Sequence, residues 1–442
     1  MHLRRWSVAL VVAAAVTGGG TWWNARRLTA MERASTAAVL SAAAERETRT
    51  ADVAFYEARV AGDSTSAVDR TQLAALYLQR ARENNDEQDY VRAEQAARAS
   101  LALRTQRNGA AFVVLASALL AQHRFEEARD AARQLVAAEP GVDAHHALLG
   151  ETCLELGDYA GARAAFDSIT GRGRESLAVA PRLARWAEIR GDTATAHAIV
   201  LGLARRAATL RDLPREQAAW FHLRAADLDL RQGRPARAER ALRAGLGVSP
   251  ADHRLLTAMA RLAANRGDWK DAVRYGDSAV AIVLDPATLG VVSDAYAALG
   301  DTAKAAEYVA AMEVAVGQQP GAYHRAWSLF LLDHDRRVPE VLAAAQAELA
   351  GRRDVHGYDL LAWALYKSGR PHEARVAMSG ALAQGTLDAT FLYHAGMIAL
   401  AAGDAAAARD HLQRALAIAP AFDYAAPAIA RAALDSLDRA GR

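Results

Sequence analysis

The residues with the most evident chemical potential in this 442-residue chain stand as isolated pairs. His372 and Glu373 match the start of the His-Glu-x-x-His helix of a zinc protease, but the fifth position is Val376, which supplies no ligand. Lys367 and Ser368 lack the glycines that precede this pair in a phosphate-binding loop. The sequence therefore predicts neither a zinc protease nor a nucleotide site.

Other candidate sites are explained more simply by structure. The glycines at 171 and 173 and at 245 and 247 lack the third glycine and the preceding strand of a dinucleotide-binding fingerprint. Asp333, His334 and Asp335 are adjacent, so their side chains diverge and do not form a set of metal ligands. Cys153 is the only cysteine, which excludes an intrachain disulfide and a thiolate zinc cluster, and we expect it to be buried. We therefore expect a protein that is not an enzyme and holds no cofactor or metal.

The composition indicates an all-α protein. Aromatic residues make up 6% of the chain and only 11 residues are proline, while alanine fills about a quarter of the positions. Basic and acidic residues number 53 and 51, so the formal charge of +2 gives no overall attraction for nucleic acid. A chain of this length that is 52% hydrophobic must form several domains or a repeat array.

A recurring turn identifies the repeat. Glycine is followed by aspartate, or by arginine and proline, at Gly157, Gly191, Gly233, Gly267, Gly300, Gly369 and Gly403. Glycine ends a helix because it adopts the left-handed conformation without a side-chain penalty. Aspartate then accepts hydrogen bonds from the free amides of the next helix, and proline suits a first helical turn. Each turn therefore predicts the end of one helix and the start of another.

The third residue of each turn marks a period of 34 residues. With weaker turns at Tyr90, Phe125 and Arg336, the ten anchors lie at positions 90, 125, 159, 193, 235, 269, 302, 336, 371 and 405. One longer step predicts an insertion between Leu203 and Gln217. Alanine stands three positions after nine of the ten anchors, where two helices must cross closely. The unit of Arg336 has proline there and no turn glycine, so we expect it to pack irregularly.

This period and its residues resemble the tetratricopeptide repeat family. The best match runs from Ala144 to Ile169, and the family's signature positions there hold Leu149, Gly150, Gly157, Asp158, Tyr159, Ala162 and Phe166. The resemblance spans about Asp69 to Pro420. It implies a right-handed α-α superhelical solenoid of about ten antiparallel helix pairs.

The sequence predicts four parts of the chain. Residues 1–24 are a signal peptide or membrane anchor, 25–68 a leading helix plus half-repeat, 69–420 the solenoid, and 421–442 a C-terminal capping helix. Solenoids need such polar caps to remain soluble.

Two of these flanking segments predict particular contacts. Ala51, Phe55 and Ala58 copy the spacing of a second repeat helix, so we expect them to pack inward. In the C-terminal helix, Ile429 and Leu437 are expected to face the last repeat.

The N-terminus predicts export from a bacterial cytoplasm. Arg4 and Arg5 precede an apolar run from Trp6 to Val16 and then small residues, which is the order of a secretory signal. If the run continues to Trp23, its length of about eighteen residues and its terminal tryptophans fit an uncleaved membrane anchor. Only three of the 53 basic residues are lysines, which indicates a GC-rich bacterium. Either alternative places the chain in the periplasm or at the inner membrane.

The resemblance also implies which side chains line the concave surface, because in this family the first helix of each pair carries them. The family rule places them fifteen, twelve, eight, five and four residues before the anchor. The last two repeats contribute His356, Asp359, Trp363, Tyr366, Lys367, Tyr393 and Met397. The central repeats contribute Arg185, Trp220, Asp227, Arg254, Arg261 and Asn265. Aromatic residues give large contact areas with few rotamers to freeze, so Trp363, Tyr366 and Tyr393 are the expected anchor for a partner. Alternatively, they fill the gap between repeats. The family's carboxylate clamp of paired lysine and asparagine is not found.

These features predict a protein-binding scaffold or adaptor at the bacterial cell envelope, which holds a peptide or protein segment in its concave groove. The alternative is a structural subunit of a secretion, polymer-export or outer-membrane assembly. We expect protein partners and no nucleic acid, with association to the inner membrane through the N-terminus if that segment is retained.

Overall fold

The computed structural model describes residues 42–171, 173–317 and 325–440, and every regular element in these ranges is an α-helix. The all-α prediction is therefore confirmed for this part of the chain. The helices are α1 (42–62), α2 (Ala67–Asn84), α3 (Glu87–Leu103), α4 (Gly109–Ala121), α5 (Phe125–Ala138), α6 (Asp143–Leu156), α7 (Tyr159–Asp167), α8 (Ala180–Ile189), α9 (Thr193–Ala207), α10 (Arg215–Arg231), α11 (Pro235–Val248), α12 (His253–Asn265), α13 (Trp269–Val280), α14 (Pro286–Ala298), α15 (Thr302–Gly317), α16 (Arg325–Asp333), α17 (Val338–Gly351), α18 (Val355–Lys367), α19 (Pro371–Leu382), α20 (Ala389–Ala401), α21 (Ala405–Ile418) and α22 (Ala426–Ala440).

The predicted turns start helices where the sequence placed them. Eight of the ten anchors are the first residue of a helix, namely Phe125, Tyr159, Thr193, Pro235, Trp269, Thr302, Pro371 and Ala405. The seven turn glycines all have positive φ, between 66° and 86°. The carboxylate that follows the glycine accepts a hydrogen bond from the amide three residues later, as Asp158 does from Gly161 at 2.8 Å. Local turn chemistry therefore sets the helix boundaries.

Alanine at the crossing position is fully buried in eight of its nine occurrences, and only Ala305 is partly exposed. The unit of Arg336 differs because α17 begins two residues later than its anchor, at Val338. Pro339 is exposed, and Val341 is buried three residues after the observed helix start. Asp335 adopts the positive φ of the missing glycine, at 52°. The irregularity is thus a shift of two residues in where the helix starts.

The predicted packing faces of the flanking helices were wrong for α1 and only partly right for α22, where Leu437 is 9% exposed and packs with Ala399 and Ala408 of the last repeat as predicted. In α1, Val53 is buried and Tyr56 packs with it, whereas Phe55 is 57% exposed. In α22, Pro427 is buried and Ile429 is 46% exposed. Residues two apart differ by about 200° around a helix, so each misassigned side chain lies on the opposite face from the one that packs.

The superhelix closes so that its second turn contacts its first. The amide of Arg353 donates to the carbonyl oxygen of Leu156 at 3.1 Å, and the amide of Val355 donates to the hydroxyl of Tyr159 at 2.8 Å. One repeat further along, the Thr386 hydroxyl donates to the backbone carbonyl of Ile189 at 2.6 Å. We call this contact zone the seam. It joins residues 155–159, 189–191, 231–233 and 265–269 to residues 352–355, 385–388 and 418–424.

Side chains complete the seam at both ends. Arg352 donates to the Glu155 carboxylate at 2.6 Å, and Trp269 meets Tyr424 edge to face with ring centroids 5.7 Å apart. Arg231 and Asp388 form an ion pair of 2.6 Å between these two contacts. The seam therefore combines backbone bonds, ion pairs and aromatic packing between residues roughly six repeats apart.

No helix within the described ranges has both the length and the apolarity needed to cross a membrane. The predicted signal or anchor at residues 1–24 lies outside the residues that the structure describes.

Candidate protein-binding site

A cavity of about 690 Å³ lies inside the closed superhelix. Its helical lining comes from α2, α4, α6, α8, α10, α12 and α18, all of which are first helices of their pairs. Thr386, in the loop before α20, also lines it. The cavity is therefore the concave surface of the solenoid, enclosed by both superhelical turns.

Four of the residues predicted to line the concave surface meet at this cavity. Trp220 on α10, Arg254 on α12 and His356 on α18 all line it, as does Arg185 on α8. Trp220 is partly exposed and contacts Phe221 edge to face, with ring centroids 5.2 Å apart. Arg185, Trp220 and Arg254 come from three consecutive repeats, and closure of the superhelix brings His356 of a distant repeat to the same cavity.

The predicted aromatic anchor lies elsewhere and is packed. Trp363 is 3% exposed and Tyr393 is 6% exposed. The Trp363 ring stacks on Tyr366 at 4.8 Å and on His394 at 4.1 Å, and its indole N–H donates to Asp333 at 2.8 Å. Trp363 and Tyr393 therefore fill the space between neighbouring repeats and present no open surface to a partner.

The remaining predicted residues are scattered. Asp359 is buried and hydrogen-bonds His394 at 2.8 Å. Lys367 and Met397 are partly exposed beside the aromatic cluster, and Arg261 is exposed on α12. None of these four predicted residues lines the cavity. His394 contacts both Trp363 and Asp359, and nothing in the sequence indicated this role.

Replacement of Trp363 by phenylalanine is expected to lower the free energy of unfolding by about 2 kcal/mol, because the smaller ring leaves a cavity beside Tyr366 and His394 and cannot donate the indole hydrogen bond to Asp333. Trp220→Phe, at the partly exposed cavity wall, should cost about 0.5 kcal/mol. Urea unfolding of both variants in the absence of any partner measures the difference. Equal stabilities would show that Trp363 is not a packing residue.

Ion pairs organise the charged wall of the cavity. Arg182 pairs with Glu151 at 2.6 Å, and Arg224 pairs with Glu188 at 2.8 Å. Arg254 pairs with Glu216 at 2.7 Å. Burial lowers the pKa of Arg254, but the adjacent carboxylates outweigh burial and raise it above its ordinary value. These guanidinium groups are therefore held in place as cations.

His356 is a neutral group in this charged surrounding. Burial lowers its pKa to about 4, against the opposing influence of Asp354 and Asp388, while Arg325 and Arg231 lower it further. At neutral pH the cavity consequently receives no positive charge from this imidazole.

The lowered pKa of His356 predicts a pH effect on stability. The unfolded imidazole takes up a proton near pH 6.5, whereas the folded one does so only near pH 4. Stability from this group is therefore lost as the pH falls through this window. His356→Gln should show a flatter loss between these pH values when both proteins are unfolded by urea. Parallel pH profiles for the two proteins would contradict the assignment.

Several cavity residues were missed by sequence reasoning. Arg82 and Arg231 lie eight and four residues before their anchors, which are positions that the family rule covers, but they were not among the predicted residues. Arg182 and Arg224 both lie eleven residues before their anchors, which the rule omits. The missed residues therefore include four of the six arginines of the lining.

The described residues hold no group of three or more histidine, cysteine or acidic side chains placed to bind a metal ion. Cys153 is 3% exposed, and burial raises the pKa of its thiol to about 11, so it is an unreactive core residue as predicted.

Several solved structures share similarity with this chain at low identity. The APC/C hetero-tetramer Cut9-Hcn1 is 14% identical, with a TM-score of 0.34 over 89% of this chain and 94% of that chain. PilW, a widely conserved type IV pilus biogenesis factor, is 19% identical, with a TM-score of 0.31 over 59% and 99%. Human IFIT1, solved as a dimer with PPP-AAAA, is 13% identical, with a TM-score of 0.34 over 79% and 72%. No curated protein matches the sequence.

Family comparison agrees with the period found in the sequence. The tetratricopeptide repeat model matches residues 113–176, 223–287 and 360–421. Each match covers helices of consecutive pairs in the solenoid, including α6 and α7, α12 and α13, and α20 and α21. Over these three segments the chain is therefore similar to tetratricopeptide repeats.

Proposed function

We propose that this chain is a protein-binding scaffold that holds a segment of a partner protein in the cavity between its two superhelical turns. The observation that supports this most directly is the cavity itself, whose helical lining comes entirely from the concave helices. Tetratricopeptide repeats generally mediate contacts between proteins. A volume of about 690 Å³ is in the range of sites that bind ligands of modest size.

The residues proposed to contact the partner differ from the predicted anchor of Trp363, Tyr366 and Tyr393. Trp220 is the partly exposed aromatic side chain of the cavity, and Arg254 and His356 lie on the same wall. An aromatic ring beside arginines is the composition that concentrates binding energy at protein interfaces. We propose that these three residues contact the partner and that Trp363 supports the fold only.

We further propose an exported scaffold at the cell envelope of a bacterium, either in the periplasm or anchored to the inner membrane. The pattern in residues 1–24 supports this location. The role is that of an adaptor, with a permanent structural subunit of a secretion, polymer-export or outer-membrane assembly as the alternative. In either role the chain binds and does not catalyse.

Affinity purification of the full-length chain from its own cells tests the proposal. Trp220→Ala should lose the partner that the wild-type protein retains, while Phe55→Ala, an exposed aromatic change on α1 outside the cavity, should keep it. One stoichiometric partner favours the subunit, and several substoichiometric partners favour the adaptor. Retention of every partner by Trp220→Ala and loss by Phe55→Ala would move the site away from the cavity. Thermal unfolding of both variants controls for misfolding.

A further inference from the structure

We infer that the segment held in the cavity is an acidic polypeptide, whose carboxylates pair with the arginines of the concave helices while its apolar side chains pack against Trp220. This inference rests on the proposed function and names the chemistry of the partner.

The lining of the cavity is rich in arginine. Its arginines are Arg82, Arg182, Arg185, Arg224, Arg231 and Arg254, and its acidic residues are Glu151, Glu188 and Glu216. The arginines outnumber these carboxylates by three, but Glu155, Asp388 and Asp252, which lie outside the lining, pair with Arg185, Arg231 and Arg254. Arginines that keep free donors on a concave surface attract carboxylates. The cavity therefore favours an anionic ligand.

The arginines retain hydrogen-bonding capacity for such a ligand. Each guanidinium has five N–H donors. Within the described ranges, Arg82 lines the cavity without an ion pair. Arg182 uses its Nε for Glu151 and its Nη1 for a backbone carbonyl, which leaves its Nη2 for another acceptor. Arginine binds planar carboxylates through paired donors, so these two side chains suit aspartate or glutamate.

The same lining argues against a nucleic acid strand. Glu151, Glu188 and Glu216 lie among the arginines, and a phosphodiester chain would bring one negative charge with every nucleotide past them. Trp220 is joined in the lining by Phe221 and Leu120, which are apolar surfaces. A polypeptide can place its carboxylates opposite the arginines and its apolar side chains opposite these residues. The mixture of charges and apolar surface therefore favours an acidic segment with interspersed apolar residues.

Closure of the superhelix links ligand binding to the stability of the seam. His356 and Thr386 line the cavity from the second turn, while Arg82 and Arg182 line it from the first. A ligand that contacts both turns binds the closed form better than an open one, and by linkage it must stabilise the seam. An acidic ligand should thus raise the thermal stability of the full chain.

The probe for this inference is a short fluorescein-labelled peptide in which glutamate alternates with leucine. Fluorescence anisotropy with the full-length chain should show binding that weakens as salt increases. Arg82→Ala should weaken it about tenfold, because a charge-assisted hydrogen bond is lost. Arg243→Ala, an exposed arginine on α11 whose side chain is 62% exposed, is the matched control and should leave binding unchanged. Arg224→Gln provides a second cavity variant, and thermal unfolding confirms that each variant folds.

Three results would overturn the inference. The first is absence of binding by the glutamate peptide, and the second is equal binding by a peptide with lysine in place of glutamate. The third is tighter binding by a labelled single-stranded oligonucleotide that Arg82→Ala abolishes, which would assign the cavity to phosphates. If the glutamate peptide does not bind but Trp220→Ala still loses its cellular partner, the scaffold stands and only the acidic chemistry fails. If the peptide binds and Trp220→Ala retains every cellular partner, the cavity chemistry stands and the proposed function fails.

Discussion

Replacing Arg352 by alanine is expected to lower the free energy of unfolding by about 3 kcal/mol, since it removes the cation that Glu155 and Asp354 share in a buried ion-pair network and leaves each with one arginine fewer. The Arg352 side chain is only 12% exposed and lies within 2.6 Å of Glu155 and 2.7 Å of Asp354. It also lies over the Phe125 ring, 4.5 Å from the centroid. Burial raises the pKa of Glu155, but nearby arginines outweigh burial and hold it below its ordinary value. This cation therefore joins the two superhelical turns.

Arg370→Ala is the matched control for this prediction. Arg370 also pairs with a carboxylate, that of Glu373, but both side chains are exposed, at 42% and 58%. Exposed pairs contribute little, so this change should cost about 0.5 kcal/mol or less. Denaturant unfolding, supported by thermal midpoints because repeat arrays can depart from two-state behaviour, measures both. Similar losses in the two variants would mean that Arg352 is not buried between turns.

Replacing Gly157 by alanine should lower the free energy of unfolding by about 3 kcal/mol. Its φ of 75° costs a residue with a side chain about 1 kcal/mol. A methyl group there would also overlap the backbone carbonyl of Arg353 across the seam. Backbone atoms cannot move aside as the end of a side chain can, so the two superhelical turns must separate or shift. This displacement accounts for the remaining loss of stability.

Gly267 separates these two effects. It occupies the equivalent turn of a later repeat with a φ of 74°, and no atom lies within 4 Å of the position where its methyl group would be. Gly267→Ala should therefore cost only about 1 kcal/mol. Thermal unfolding of the two alanine variants compares the backbone penalty with and without a close backbone contact across the seam. If both variants lose the same stability, the two superhelical turns do not touch at Gly157.

Most of the local structure could be predicted from the sequence because it depends on neighbouring residues. A glycine with positive φ and an aspartate one position later determine a helix boundary by themselves, which is why Tyr159 and Trp269 begin helices where predicted. Burial of the alanine three residues later follows from the close crossing of the pair. The displaced start of α17 is the exception, since Asp335 adopts the left-handed conformation without glycine.

The closed superhelix could not be predicted because it depends on small rotations that add up over many repeats. Nothing in the sequence around Leu156 indicates that its carbonyl meets Arg353. The cavity could not be predicted for the same reason. Trp220 and His356 were placed on the concave face, but the cavity that they share exists only when the turns dock.

The aromatic residues show a second limit of sequence reasoning. Trp363 and Tyr393 lie at the helix positions that the family rule assigns to the concave face, yet neighbouring repeats cover them. Periodicity indicates which side of a helix a residue occupies, and it does not distinguish a solvent-facing surface from one covered by the next helix.

Hydrogen exchange at the amides of Arg353 and Val355 tests the closed superhelix most directly. Both lie between or at the ends of helices, and their hydrogen bonds to Leu156 and Tyr159 cross the seam. In the full-length wild-type protein, the peptide that contains them should exchange slowly, as buried structure does. The same peptide should exchange quickly in Gly157→Ala. Fast exchange of both amides in the wild-type protein would contradict a superhelix whose turns are docked.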